Sequence, residues 1–132
     1  MKNHFFTKKS TLLMTLFVSL SFTFLSQSPE GINYQAVMRN GLTLAANQNI
    51  NVKFELKKVT GLGGVGPLVY TETHNVITNS LGLVNLTIGE GIADPSNVTN
   101  FDLIDWGSDQ YFLATSVDFN GGTNFQFFGE QK

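Results

Sequence analysis

The chain has 132 residues, 42% of them hydrophobic and 14% charged, with a formal net charge of −2. That length fits one domain plus a leader, and 12 Phe exclude the aromatic-poor composition of a disordered chain. The absence of Cys excludes disulfides, thiolate metal sites, a thiol nucleophile and a Cys-linked lipid anchor.

Residues 1–26 stand apart. Lys2, Lys8 and Lys9 make a positive start, and an uncharged apolar run follows from Thr11 to Leu25. That run is shorter than the roughly 20 residues a membrane-spanning helix needs. The turn-like Ser26-Gln27-Ser28-Pro29 comes next, completing the charged, apolar, polar order of a secretory signal peptide. The segment is therefore expected to form a signal-peptide helix, with an uncleaved membrane anchor as the alternative. The cut is open. Cleavage after Ser26 places bulky Phe24 three residues before it, cleavage after Ser21 places Ser19 and Ser21 at the two small positions, and cleavage after Ser28 places Pro29 beside it. An exported eukaryotic domain of this size would often carry disulfides, so an exported chain without Cys points to a bacterial protein held by its core alone.

Without residues 1–26 the chain holds 5 basic and 10 acidic residues, a net charge of −5. Phosphate contacts need Lys and Arg, so nucleic acid is not an expected partner. No basic patch for an anionic membrane is present either, so no membrane contact is expected once the signal is removed.

From Ile32 onward the apolar pattern has period two. Ile32, Tyr34, Ala36 and Met38 alternate with Asn33, Gln35, Val37 and Arg39. Asn40-Gly41 follows as a turn. Ile50, Val52, Phe54 and Leu56 alternate with Asn51, Lys53, Glu55 and Lys57, four apolar residues on one face of a strand and polar ones on the other. Gly61–Pro67 reads as a flexible hairpin loop, and Leu68–Thr78 is rich in β-branched residues. Asn79–Gly82 is a turn, and Val84, Leu86 and Ile88 repeat the alternation. Gly89–Asn100 reads as an irregular crossover. Tyr111, Leu113, Thr115 and Val117 alternate again, Asn120-Gly121-Gly122 signals a tight hairpin, and Phe125–Phe128 closes the series. No stretch after residue 28 sustains a 3.6-residue period. Six or seven short strands predict an all-β fold, an antiparallel β-sandwich of immunoglobulin-like or prealbumin-like type, spanning residues 27–132 as one domain.

The motifs that could carry chemistry have simpler readings. Gly61-Leu62-Gly63-Gly64-Val65-Gly66 has the dinucleotide-loop spacing, but no helix follows to offer its N-terminus to a phosphate. Asp118-Phe119-Asn120-Gly121-Gly122 echoes a calcium loop without the distal ligands. Asp94, Asp102, Asp105 and Asp109 cluster around the crossover, where Asp commonly caps turns. His74 is the sole His after the leader, expected to pair across a sheet, and no G-x-S-x-G elbow accompanies it. Trp106 is either a core plug or a sugar-stacking platform. Asn85-Leu86-Thr87 and Asn97-Val98-Thr99 match the glycosylation sequon, which carries little weight in a bacterial chain. No nucleophile–base pair or metal set emerges, so no enzyme, cofactor or metal is expected.

Several segments in order carry a resemblance: Pro29-Glu30-Gly31-Ile32-Asn33-Tyr34-Gln35-Ala36-Val37, Tyr70-Thr71-Glu72-Thr73-His74, Thr78-Asn79 with Gly82-Leu83, Ile104-Asp105-Trp106-Gly107, Tyr111-Phe112-Leu113, and Gly121-Gly122-Thr123-Asn124-Phe125. Together they resemble a recurring N-terminal module of exported Bacteroidota proteins. The resemblance implies a β-sandwich head behind a signal peptide, often followed by collagen-like, fibre-like or other surface regions, with no catalytic residues. It also implies one more strand beyond Gly129-Glu130-Gln131-Lys132. A sandwich lacking that C-terminal strand would have an unpaired edge.

The expected function is that of a secreted or cell-surface structural or adhesion module, acting on a protein partner or on itself through a sheet edge. The alternative is a carbohydrate-binding module that contacts a glycan through Trp106, Tyr111, Asp105 and Asp109.

Overall fold

A computed structural model describes residues 29–132; the expected signal peptide lies outside them. The chain forms β1 (Ile32–Val37), β2 (Arg39–Asn40), β3 (Thr43–Leu44), β4 (Asn49–Thr60), β5 (Gly64–Ile77), β6 (Leu83–Ile88), β7 (Ile92–Ala93), β8 (Tyr111–Asp118) and β9 (Gln126–Gln131), with one 3-10 turn at Phe101–Leu103. All pairings are antiparallel. A five-stranded sheet runs β7-β5-β4-β8-β9, a two-stranded sheet pairs β1 with β6, and β2–β3 is a small hairpin. The fold is all-β and sandwich-like, as the alternation predicts.

The alternation in β4 explains the layering. Ile50, Val52, Phe54 and Leu56 are all buried, and the register sets Val52, Phe54 and Leu56 beside Val117, Thr115 and Leu113 of β8. Those residues form the inner face of the large sheet. Tyr34 of β1 meets the Phe54 ring edge-on, with centroids 4.8 Å apart, so β1 lies over β4. The turn leaving β6 reaches β5 through Gly89, whose N–H donates to Glu72. The small sheet therefore covers the β5–β4 half. Full burial of each of Ile50, Val52 and Phe54 is worth about 1.5–3 kcal/mol.

Three local expectations change. The glycine-rich hairpin loop shrinks to Gly61–Gly63, because β5 already starts at Gly64 and pairs Val65 with Val59. Register irregularities between Leu56 and Val59 take up the extra residues. The crossover after Gly89 is partly ordered as β7. The hairpin at Asn120-Gly121 has a seven-residue loop, Phe119–Phe125, rather than a two-residue turn. Asp118 organises that loop, accepting from the N–H groups of Asn120 and Asn124 at 2.8 Å each. These bonds hold its carboxyl below the ordinary carboxylate value and use the oxygens that a calcium reading would need.

Candidate functional site

A sheet ends in two edges, and unpaired edges attract other strands. The large sheet treats its two edges differently.

The β5 edge is closed by its own chain only in its middle, at Thr71–Thr73 of Gly64–Ile77. β7 pairs with Glu72 and Thr73. Beyond β7, the Asp94 N–H donates to the Thr71 carbonyl at 3.0 Å. The Asn97 side chain then acts as a strand in miniature: its Oδ1 accepts from the Thr71 N–H at 2.8 Å, and its Nδ2 donates to the Thr71 carbonyl at 2.9 Å. Asp94 holds the local turn by accepting from Ser96, which lowers its pKa.

Behind this closure sits a buried charge. Tyr70, Glu72 and His74 alternate along β5 on the inner face, opposite Leu56, Phe54 and Val52. Glu72 is 0% exposed. Its carboxylate accepts from Tyr70 Oη (2.9 Å), His74 Nε2 (2.8 Å), the Gly89 N–H (3.0 Å) and the Gly91 N–H (3.2 Å). Burial acts to raise its pKa, but the bonds from His74, Gly89 and Tyr70 outweigh that, so the carboxyl sits below its ordinary value. Burial and the bond to Glu72 push Tyr70 well above its ordinary value. The His74 ring packs edge-on against Phe54, with centroids 5.6 Å apart. The cluster resembles acid–base machinery, yet its acceptors are used to anchor the β6–β7 turn. Gly89, at φ +106°, fits there because a Cβ would stand 2.7 Å from the Phe101 ring.

The β9 edge is open. Among the described residues, no strand pairs with its outer side. Its inner pairing sets Gln126, Phe127, Gly129, Glu130 and Gln131 opposite Val117, Ser116, Thr115, Ala114 and Leu113. Phe128 is the extra residue of a β-bulge and packs against the core. Gln126, Phe128, Gly129 and Gln131 thus share the inner side, and Phe127 and Glu130 the outer. Phe127 is 70% exposed. The only charge on β9 is Glu130. β1 and β6 are edges too, but their outward residues Asn33, Gln35, Asn85 and Thr87 are polar, and the paired Val37 and Leu83 add apolar surface at one end.

The sequence-predicted contacts gather at one end of the sandwich. Trp106, Asp109, Gln110, Tyr111 and Lys132 line a shallow cavity of about 430 Å³. Trp106 is half-buried between Phe101 and Tyr111, with centroids at 5.5 and 5.2 Å and steep interplanar angles. Its Nε1 is buried without a hydrogen-bond partner. Asp109 is tied to Lys58 at 2.6 Å, a bond that raises the lysine pKa. Asp105 does not line the cavity. Its carboxylate accepts from the N–H groups of Ser108 and Gly107, which lowers its pKa, while its carbonyl accepts from Tyr111 Oη at 3.2 Å. Burial, then Asp109, raises the Tyr111 pKa.

Residues 33–129 match the family described as a domain of unknown function, DUF8740. The chain belongs to this family. No curated protein and no solved structure matches it. The match covers β1 through most of β9, so the covered stretch of the β5 edge and the bulged part of β9 both lie inside the DUF8740 domain.

Sequence reasoning missed Glu72 and Asn97. For Glu72 a signal exists: it is in phase with Tyr70 and His74 on a strand whose register faces the core. For Asn97 there is none, because its role depends on a crossover folding back on β5.

Proposed function

We propose that this chain is an exported structural module of the cell surface or extracellular space that works through protein–protein assembly at the β9 edge. The observation that carries this reading is the contrast between the two edges of one sheet. In its middle, at Thr71–Thr73, the β5 edge is covered by β7, Asp94 and Asn97, whereas along β9 no strand among the described residues pairs with the outer backbone and Phe127 is exposed. Edge pairing gives affinity through main-chain hydrogen bonds and specificity through alternate side chains. The leader pattern of residues 1–26 supports export, and the resemblance to Bacteroidota surface modules agrees with it.

The reading is non-catalytic. The one cluster with the look of an acid–base site, Tyr70-Glu72-His74, has its carboxylate committed to two backbone N–H groups. The carbohydrate alternative has less support. A sugar stacks on a free ring face, and Trp106 packs against two other rings, tilted against Phe101 and edge-on to Tyr111.

Chemical cross-linking of intact cells that make the full chain, followed by sizing of the complexes that contain it, tests the reading. Wild type should appear on the surface or in the medium in complexes larger than one chain. Phe127→Glu, which adds a charge to the edge, should appear there as single chains, while Trp106→Phe should behave as wild type. Complexes unchanged by Phe127→Glu would overturn the proposal.

A further inference from the structure

We infer that the partner on the β9 edge is a second copy of this chain, joined by an antiparallel, two-fold β9–β9 pairing that makes one ten-stranded sheet. This rests on the reading of β9 as the working edge. The register sets Gln126 opposite the partner's Gln131, Phe127 opposite the partner's Glu130 and Phe128 opposite the partner's Gly129.

The strand is self-complementary in this register and in few others. A two-fold pairing of a six-residue strand about its centre joins odd to even positions. In a regular strand that would set inner residues against outer ones, because side chains alternate with period two. The bulge at Phe128 inverts the alternation halfway along β9. Gln126 and Gln131 are therefore both on the inner side, Phe127 and Glu130 both on the outer side, and Phe128 and Gly129 both on the inner side. Every opposed pair then shares a face.

Chemistry agrees with geometry. Gly129 has open space where a Cβ would stand, so the partner's Phe128 ring has a place beside it; aromatic residues stabilise an edge glycine in this way. The two glutamines can bond side chain to side chain. Each Glu130 meets a Phe127, and the bulge leaves the two Glu130 carboxylates offset by two ladder steps, because Phe127 and Glu130 pair with Ser116 and Ala114, about 7 Å at strand rise. A register that set Glu130 against Glu130 would place like charges directly opposite, which is destabilising.

The test uses the full chain and a charge exchange. Sedimentation equilibrium should show a monomer–dimer equilibrium for wild type. Phe127→Glu sets Glu against Glu130 twice across the axis and should raise the dimer dissociation constant at least tenfold. The double variant Phe127→Glu with Glu130→Lys turns both contacts into attractive pairs and should return the constant to within about threefold of wild type. The chain has no Cys, so a mixture of Gln126→Cys and Gln131→Cys chains should form a disulfide-linked dimer under mild oxidation, at the Cα spacing a disulfide accepts. Either variant alone should form far less. A monomer at every concentration, a double variant as weak as the single one, or equal cross-linking by either cysteine variant alone would overturn the second copy as partner. If cells still yield complexes that Phe127→Glu abolishes, the edge reading stands and the partner is a different protein. If Phe127→Glu changes nothing in cells, the edge reading falls as well.

Discussion

Glu72 is a fully buried carboxylate. A carboxylate removed from water is costly unless its hydrogen-bonding capacity is filled, and four donors fill it here. Glu72→Gln replaces an acceptor-only group with one that carries two donors, so at least one of those N–H or O–H groups loses its bond. Chemical denaturation should show a loss of about 2–4 kcal/mol. The pH dependence follows from the lowered folded pKa. The stabilisation is fully present above the unfolded value near 4.5 and is lost as pH falls through the lower folded value. Wild type should therefore lose stability below about pH 4.5, and Glu72→Gln should lose less over the same range. Trp106 behaves differently. Its Nε1 has no partner to lose, so Trp106→Phe should cost under about 1.5 kcal/mol, while Trp106→Ala should cost about 3–5 kcal/mol through the cavity it leaves. Of these two residues the sequence makes one legible. An aromatic between Ile104-Asp105 and Gly107 reads as a core plug or a stacking platform, and the structure half-buries it beside Phe101 and Tyr111. A charged residue in a β-rich run reads as solvent-facing unless its phase is compared with that of Tyr70.

Among the elements, legibility follows how much of the information is local. β4 is legible because burial on one face writes period two into consecutive residues, and all four of its predicted inner residues are buried. β7 is invisible, since two residues contain no period and their pairing partner lies about twenty residues away. The start of β5 is masked by glycines, whose turn preference is overridden by pairing with the end of β4. The closure of the β5 edge depends on the Asn97 amide, which both accepts and donates. Asn97→Asp keeps the acceptor but sets a carboxylate oxygen against the Thr71 carbonyl. It should cost about 1–3 kcal/mol in thermal unfolding. It should also lengthen the uncovered stretch of β5, so the variant should aggregate at a lower temperature than wild type in light scattering. The bulge of β9 could not be read from sequence, because Gln126–Gln131 contains no signal for where an extra residue falls.

For the whole molecule, the balance is between the open β9 edge and an acidic body. Residues 27–132 carry a net charge of −5, so like-charged copies repel over a distance set by salt. Raising salt from about 0.05 to 0.5 M should strengthen self-association several-fold in sedimentation equilibrium, the opposite of the weakening expected if ion pairs held the interface. Amide hydrogen exchange on the full chain as a function of its concentration tests the β9 edge most directly. If β9 is the working edge, protection should rise with concentration at amides within Gln126–Gln131 and stay constant along β5, β1, β6 and the Trp106–Tyr111 cavity. Concentration-dependent protection at any of those other places with none in β9 would show that β9 is not the working edge.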